Sequence, residues 1–491
     1  MTTFADTPEP SLLWNFFREL SQIPRESKNE DKAVEWVVSV GQALGCEVEL
    51  ERVGPADRPH FANVLLRKTA TPGRVGRPVT ALQAHIDMVA VKSEGSQHDF
   101  ECDPIALVFE GDRVRANGTT LGADNGIGVC AALATLADTT LEHGPIEVLI
   151  TVDEESGMTG VRELKPGWLK ATYLLNLDSE VEGEATISCA GALETLAKRK
   201  IERSHIRSGR SHLRIEIGGL PGGHSGLEIA EGRANALKIL SRIMSEIMSQ
   251  AVIEISDISG GSKRNAIPAN ASADFLCDTA DEKRIMDIVE RCAASQRSAL
   301  PPVNEGLTVS CLRGQGLDSV MSEADGCALV GVLNDLPHGV EAMSGAVPGL
   351  VETSTNLAVV KASGSEIEIE ILSRSAIDAN KGHLGVKIKD VLTQHGFVIS
   401  EGNEYPGWQP APESDLVNLV KQTHSQVFGS PIKIVAIHAG LECGLIGQHY
   451  PNLKMISFGP NIWEVHTPNE HTSIKSVANF WRLLRSLLER I

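Results

Sequence analysis

The chain has 491 residues, 42% of them apolar and 22% charged, with a formal net charge of −19. That length exceeds one compact core, so at least two domains are expected. The negative balance argues against nucleic acid and against an anionic membrane surface as partners, because their phosphates would be repelled.

The opening segment MTTFADTPEP has neither a basic n-region nor an apolar h-region, so no secretory signal is expected and the location is read as cytoplasmic. No run is apolar enough to span a bilayer. The nine cysteines are scattered, with no C-x-x-C pair. This fits reduced thiols, not a disulfide framework or a structural zinc site.

In chain order, residues 11–21 read as a helix capped by Ser11, with Leu12, Leu13, Phe16, Phe17 and Leu20 on one stripe. A helix over 30–44 should end at Gly45. Then come strands near 61–67 and 78–84, a helix near 126–138, and strands near 145–152 and 172–177. Such alternation with apolar strands predicts an α/β fold: a mixed, mostly parallel sheet with helices on both faces. From about 190 the texture changes. A strand at 213–217, a helix at 230–249, strands near 252–257 and 269–277 and a helix at 281–297 follow. The alternating stretches in 357–372 predict half-exposed antiparallel strands, followed by a helix over 377–395. The tail returns to the first style, with a helix near 413–428, strands IKIVAIH and KMISFGP, and a last helix from Ser473 to Arg490. Residues 1–190 and 405–491 are therefore expected to form one sheet domain, interrupted by an inserted α+β domain over 191–404.

His85, Glu155 and Asp178 each end or follow a run that reads as a buried strand. Ligands of open α/β sheets bind at the carboxyl ends of the strands. Asp124 sits in the glycine turn LGADNGIG, ahead of a helix, and His466 lies in the tail. Imidazole and carboxylate together suit zinc and similar divalent ions. Five such groups can hold two ions, with one carboxylate shared. His85 and Asp87 alternate along an extended segment, so they share a side, and the carboxylate can hold the ring. Glu154 and Glu155 repel each other unless a cation or a shared proton is near; one as ligand and the other as general base is the economical assignment. Taken singly, each element has a plainer reading: a surface His-x-Asp, a helix-capping Asp, an acidic turn, a loop acid. His224, within Gly222-Gly223-His224-Ser225-Gly226, can approach a ligand closely or sit in a flexible loop. Neither H-E-x-x-H, a Walker loop nor G-x-S-x-G is present.

Their order is more specific than any one of them. AHIDMV, LGADNGIG, DEESGMTG, NLDSE, PGGHSG and GPNIWEVHTPNE, in that sequence, resemble the M20 metallopeptidases. NGTTLGADNGIG, KRNAIPAN, the Arg374 segment and HAGLECG resemble the branch that cleaves aminoacyl-histidine dipeptides. The resemblance implies that His85, Asp124 and Asp178 hold one zinc and that Asp124, Glu155 and His466 hold the other, with cobalt or manganese as substitutes. The Gly-Pro context favours His466 over His471. Asp87 would orient His85, and Glu154 would be the general base for attack by a metal-bridging hydroxide. His224, Asn265, Arg374 and Gly440 would contact substrate. Arg374 suits a free carboxylate, because its planar fork can bind both oxygens. The insert would act as a lid and carry the contacts of a homodimer. The implied substrates are Xaa-His dipeptides, β-alanyl-histidine included. Rival readings are an N-acyl amino acid deacylase or a tripeptide aminopeptidase with the same metal site and, from another class, a non-catalytic binding protein with a relict metal site.

Overall fold

The computed structural model describes residues 7–54, 58, 61–206 and 209–491; residues 1–6 of the opening segment, read above for a signal, lie outside the described residues. Backbone contacts divide the chain into two units. One comprises Met1–Ser188, Trp408–Ala436 and Leu441–Ile491; the other comprises Cys189–Gly407 with Ile437–Gly440.

The first unit is built on an eight-stranded sheet. Its order is Glu47–Arg52, Ala62–Lys68, Ile146–Thr151, Thr80–His85, Tyr173–Asn176, Lys454–Ser457, Glu184–Cys189, Lys433–Ile437. The four strands from Ile146–Thr151 to Lys454–Ser457 are parallel, and antiparallel pairs flank them. Every residue of Thr80–His85 and of Ile146–Thr151 is buried, which requires cover on both faces of the sheet. Helix Ala123–Ala137 is buried along nearly its whole length and packs against helix Ser11–Leu20 and strand Thr80–His85. Helix Asp31–Ala43 closes with Gly45 at φ 71°, the left-handed geometry expected of a C-terminal glycine.

Three local expectations differ from the structure. Pro10, not Ser11, occupies the N-cap of the first helix; Ser11 is its first residue and its amide donates to Glu9 Oε2 at 3.1 Å. Strand Glu47–Arg52 is an additional one: Val48 and Leu50 alternate in it, yet its one buried residue is Glu51, which accepts from Asn63 Nδ2 at 3.2 Å and from the Lys165 amide at 2.8 Å. The central strands are also not wholly apolar. Gln83, Thr151 and Asn176 are fully buried; Asn176 Nδ2 donates to Gln83 Oε1 at 2.5 Å, and Gln83 Nε2 lies 3.3 Å from Thr151 Oγ1.

The second unit carries a nine-stranded antiparallel sheet. Its order is Thr308–Arg313, Arg210–Gly218, Ala271–Asp278, Ile253–Gly260, Val351–Lys361, Glu366–Ser375, Gly191–Lys200, Val398–Tyr405, and Gly339–Met343 also pairs with Val351–Lys361. Helices Ala236–Gln250, Glu323–Asp335 and Asp378–Gln394 contribute to one apolar core with it. The helix expected from 230 begins at Ala236, where the Asn235 side chain accepts from the amides of Leu237 and Lys238; a short 3-10 turn, Ile229–Glu231, precedes it. Strand Glu366–Ser375 alternates in burial only over its first half, and from Ile371 onward every residue is buried, Arg374 among them. The half-exposed reading therefore fails at the end that carries the polar site of this unit. No helix among the described residues is long and apolar enough to cross a membrane.

Candidate active site

In the first unit, parallel strand ends and two loops bring the candidate ligands together. His85 closes strand Thr80–His85, and Asp178 follows strand Tyr173–Asn176, its parallel neighbour. On the other side of Thr80–His85, strand Ile146–Thr151 leads through left-handed Asp153 (φ 55°) into a single helical turn bearing Glu154 and Glu155. Asp124 and Asn125 are non-helical residues joined by a cis peptide at the head of helix Ala123–Ala137. Gly122 there has φ 67°, and a Cβ on Gly128 would come within 1.9 Å of Asn125 Oδ1. Only glycine meets both demands, the left-handed turn and the close approach.

His85 Nε2 lies 3.1 Å from Asp124 Oδ1 and 3.2 Å from Asp178 Oδ1. His466 Nε2 lies 3.2 Å from Asp124 Oδ2 and 3.0 Å from Glu155 Oε1. Asp124 thus turns one oxygen towards each histidine. Among the described residues three groups bring ligand atoms within 4.8 Å of one another: two donor sets share Asp124, His85–Asp124–Asp178 and Asp124–Glu155–His466, and the third grouping is His85–Glu154–Glu155. Asp87 is fully buried beneath them. Its Oδ1 lies 3.4 Å from His85 Nδ1. Its two oxygens accept from the amides of Glu154 (3.0 Å) and Glu155 (3.1 Å), and the Ser27 hydroxyl adds a bond of 2.8 Å. One carboxylate therefore fixes the Glu154–Glu155 turn and stands beside the imidazole, whose Nδ1 has no hydrogen-bond partner.

The donor set is over-supplied with negative charge. Burial pushes up the carboxyls of Glu154, Glu155 and Asp178, and their acidic neighbours add to it. Burial pushes Glu180 up to about 8, with Asp124 and Asp178 beside it. Burial also opposes the charge on Asp124, but the histidines on either side outweigh it and hold that carboxylate low. Hydrogen bonds that His466 donates to Asp124 and Glu155 raise it to about 11. Burial disfavours the His85 cation, yet Asp178 and Asp124 raise it well above its ordinary value. Carboxylates that hold onto protons, paired with histidines that do the same, mark a pocket in which a divalent cation can replace those protons. Below the site lies Glu442, fully buried, accepting from Thr151 Oγ1 at 2.8 Å and from Gln83 Nε2 at 2.5 Å.

The second unit gathers a different set. Arg374, 5% exposed, donates from Nη1 to the Tyr405 hydroxyl at 3.0 Å, and its Nε has no hydrogen-bond partner. A Cβ on Gly226 would stand 3.2 Å from that Nε and 3.0 Å from His224 Cε1, so glycine lets His224 and Arg374 close around it. His224 Nδ1 accepts from the amides of Gly226 (3.2 Å) and Leu227 (3.0 Å). The ring proton must then sit on Nε2, and the imidazole is neutral. Burial, with Arg374 nearby, lowers His224 to about 4. Gly440 groups with this unit, and a Cβ on it would stand 3.0 Å from the Tyr405 ring. Asn265 is exposed, but its carbonyl accepts from the Ser225 amide at 2.8 Å, which ties its loop to that of His224.

Several residues of these two clusters had not been singled out. Glu180, Glu442 and His438 lay inside quoted segments, NLDSE and HAGLECG. His438 bonds through Nε2 to Ser354 Oγ at 2.7 Å. Tyr405 left no mark in the sequence, since only the pairing of its strand with Gly191–Lys200 carries it to Arg374.

Comparison with known proteins agrees with this architecture. The chain is 38% identical over 99% of its length, and 98% of the relative's, to the cytosol non-specific dipeptidase of Escherichia coli. The crystal structure of aminoacylhistidine dipeptidase from Vibrio alginolyticus superposes with a TM-score of 0.91 at 37% identity, covering 99% of this chain and 97% of that one. Aminopeptidase PepT from Bacillus cereus shares the fold, with a TM-score of 0.57 at 17% identity over 98% of this chain and 99% of that one. The model of peptidase family M20/M25/M40 matches residues 81–490. With that match, the chain belongs to peptidase family M20/M25/M40 and is a peptide hydrolase.

Proposed function

We propose that the protein is a dipeptidase working with two divalent ions. The observation that carries this reading is the division of Asp124, one oxygen towards His85 and the other towards His466. Each donor set supplies two carboxylates and one imidazole, a combination suited to zinc, with cobalt or manganese as substitutes. Bound ions of this kind polarise a scissile carbonyl and make water acidic enough to act near neutral pH.

The side chains have separate tasks. Asp87 holds Nδ1 of His85, so that Nε2 faces the donor set. Glu154, whose carboxyl burial makes unusually basic, takes the proton from water and returns it to the leaving amine. In the second unit, the neutral His224 presents Nε2–H to the carbonyl oxygen as charge develops there. Arg374, with a free Nε edge, takes the C-terminal carboxylate of the substrate, and Asn265 and Gly440 complete the substrate contacts. The names of the Escherichia coli and Vibrio relatives support dipeptides as the class. Xaa-His dipeptides, β-alanyl-histidine included, are the proposed preference. A cytoplasmic homodimer pairing through the Cys189–Gly407 unit, which also serves as the lid, completes the reading.

A dipeptide library offered to metal-reconstituted protein tests it. Hydrolysis of free dipeptides, fastest with a histidine second, is expected. Faster turnover of N-acyl amino acids or tripeptides would redirect the assignment within the family. No hydrolysis with zinc, cobalt or manganese would leave a binding protein.

A further inference from the structure

Glu470 is buried and belongs to neither donor set, yet its carboxylate is fully engaged. Oε2 accepts from the amides of Leu121 (2.9 Å) and Gly122 (3.1 Å), and Oε1 from those of Ala123 (2.7 Å) and Asp124 (3.4 Å). These are the successive amides of the turn that delivers Asp124. Glu470 itself stands four residues beyond His466, which is held at φ 62°, and directly before strand His471–Ser473, which pairs with Arg113–Ala116. Arg25 takes the carbonyl side of the same turn. It is 2% exposed and donates Nη2 to the Gly122 carbonyl at 2.6 Å and Nη1 to the carbonyls of Ile86 (2.9 Å) and Asp87 (3.2 Å). Three segments distant in sequence, those of His85, Asp124 and His466, are thereby tied by two side chains through backbone groups.

We infer that Glu470, with Arg25, is a positioning residue that sets the distance between Asp124 and His466 and so the affinity of the ion those two share. A carboxylate has acceptor capacity for all four amides, whereas the carboxamide of Gln offers one oxygen and points an N–H₂ at two donors. The Asp124 turn would then loosen from the His466 segment, while His85 and Asp178 keep their own strand anchors. Partners that orient ligands in this way typically change metal affinity by about 10- to 100-fold.

The inference rests on the two-ion reading, and one experiment separates the two. Metal-stripped full-length parent and E470Q are titrated with Co²⁺, following visible absorption and the ions bound per chain after gel filtration. The parent should bind two. E470Q should bind its first ion within a small factor of the parent and its second about 10- to 100-fold more weakly. E470D, which keeps the charge on a shorter arm, should recover part of that loss; it also serves as the test variant if E470Q is insoluble. Two-ion binding unchanged from the parent, or equal weakening of both ions, overturns the positioning role alone. A parent that binds fewer than two ions overturns the two-ion reading and this inference with it.

Discussion

His85 and His466 of the first unit and His224 and His438 of the second are held in opposite states. In the first unit His85 and His466 face carboxylates, which favour the protonated ring and raise both. In the second unit burial depresses His224 to about 4, His338 to about 4 and His438 to about 3, with Arg374 beside the first and last and Lys238 beside His338. One side chain thus serves two purposes. Among acids it can serve as a donor to a cation, and among bases it is a neutral hydrogen-bond donor or acceptor that leaves the positive charge to Arg374. The two clusters thus divide the electrostatics: the first concentrates carboxylates, and the second sets Arg374 beside neutral rings.

The largest expected effect breaks the acidic side. Glu154→Gln should lower kcat by about 10²- to 10⁴-fold, the usual contribution of a general base, while bound metal stays at the parental level. Steady-state kinetics with metal analysis checks this, and parental kcat would remove Glu154 from the role. The next breaks the basic side. Arg374→Ala should cost about 2–3 kcal/mol in kcat/KM on free dipeptides, roughly 30- to 150-fold, as a charge-assisted pair does. C-terminally amidated dipeptides should be hydrolysed poorly by the parent and no worse by the variant; equal parental use of both would contradict the anchor.

Acid sharpens the contrast without a mutation. Burial raises Glu30 and Glu442 of the first unit to about 8. A group raised on folding adds stability below its unfolded value and loses it as pH rises. Chelated protein should therefore gain stability in its first unit as pH falls from about 8 towards 4.5. His224, His338 and His438 are lowered on folding, so the second unit should lose stability as pH falls from 6.5 towards 4. All six tryptophans (14, 36, 168, 408, 463 and 481) lie in the first unit. Their emission during thermal unfolding follows that unit, and hydrogen exchange over Arg210–Gly218 follows the other. The same sign of change in both would refute the division. The smallest expected effect is Tyr405→Phe, which removes one hydrogen bond to Arg374. A rise in KM of about fivefold with kcat kept corresponds to about 1 kcal/mol.

Much of this is legible in the sequence, and the reason is locality. The helix over Asp31–Ala43 with its closing glycine, the apolar central strands and the glycine turn before helix Ala123–Ala137 are decided by neighbours along the chain. The placement of His85 and Asp178 at strand ends followed from the same patterns. Strand Glu47–Arg52 carries the alternation of Val48 and Leu50, but which face it buries was not legible, because its buried residue is Glu51, whose partners, Asn63 and Lys165, lie well along the chain. Nor was the burial of Arg374, at the end of a strand that begins half-exposed.

By itself, then, the sequence determined which elements form and which residue types stand at their ends, since backbone propensity and apolar period act over a few residues. Only the tertiary structure decided that Asp124 divides its oxygens between His85 and His466, that Asp87 braces the Glu154 turn, and that Glu470 grips the Asp124 loop. Those contacts join groups tens to hundreds of residues apart. Their geometry is set by how strands pair and loops cross, which no local period encodes.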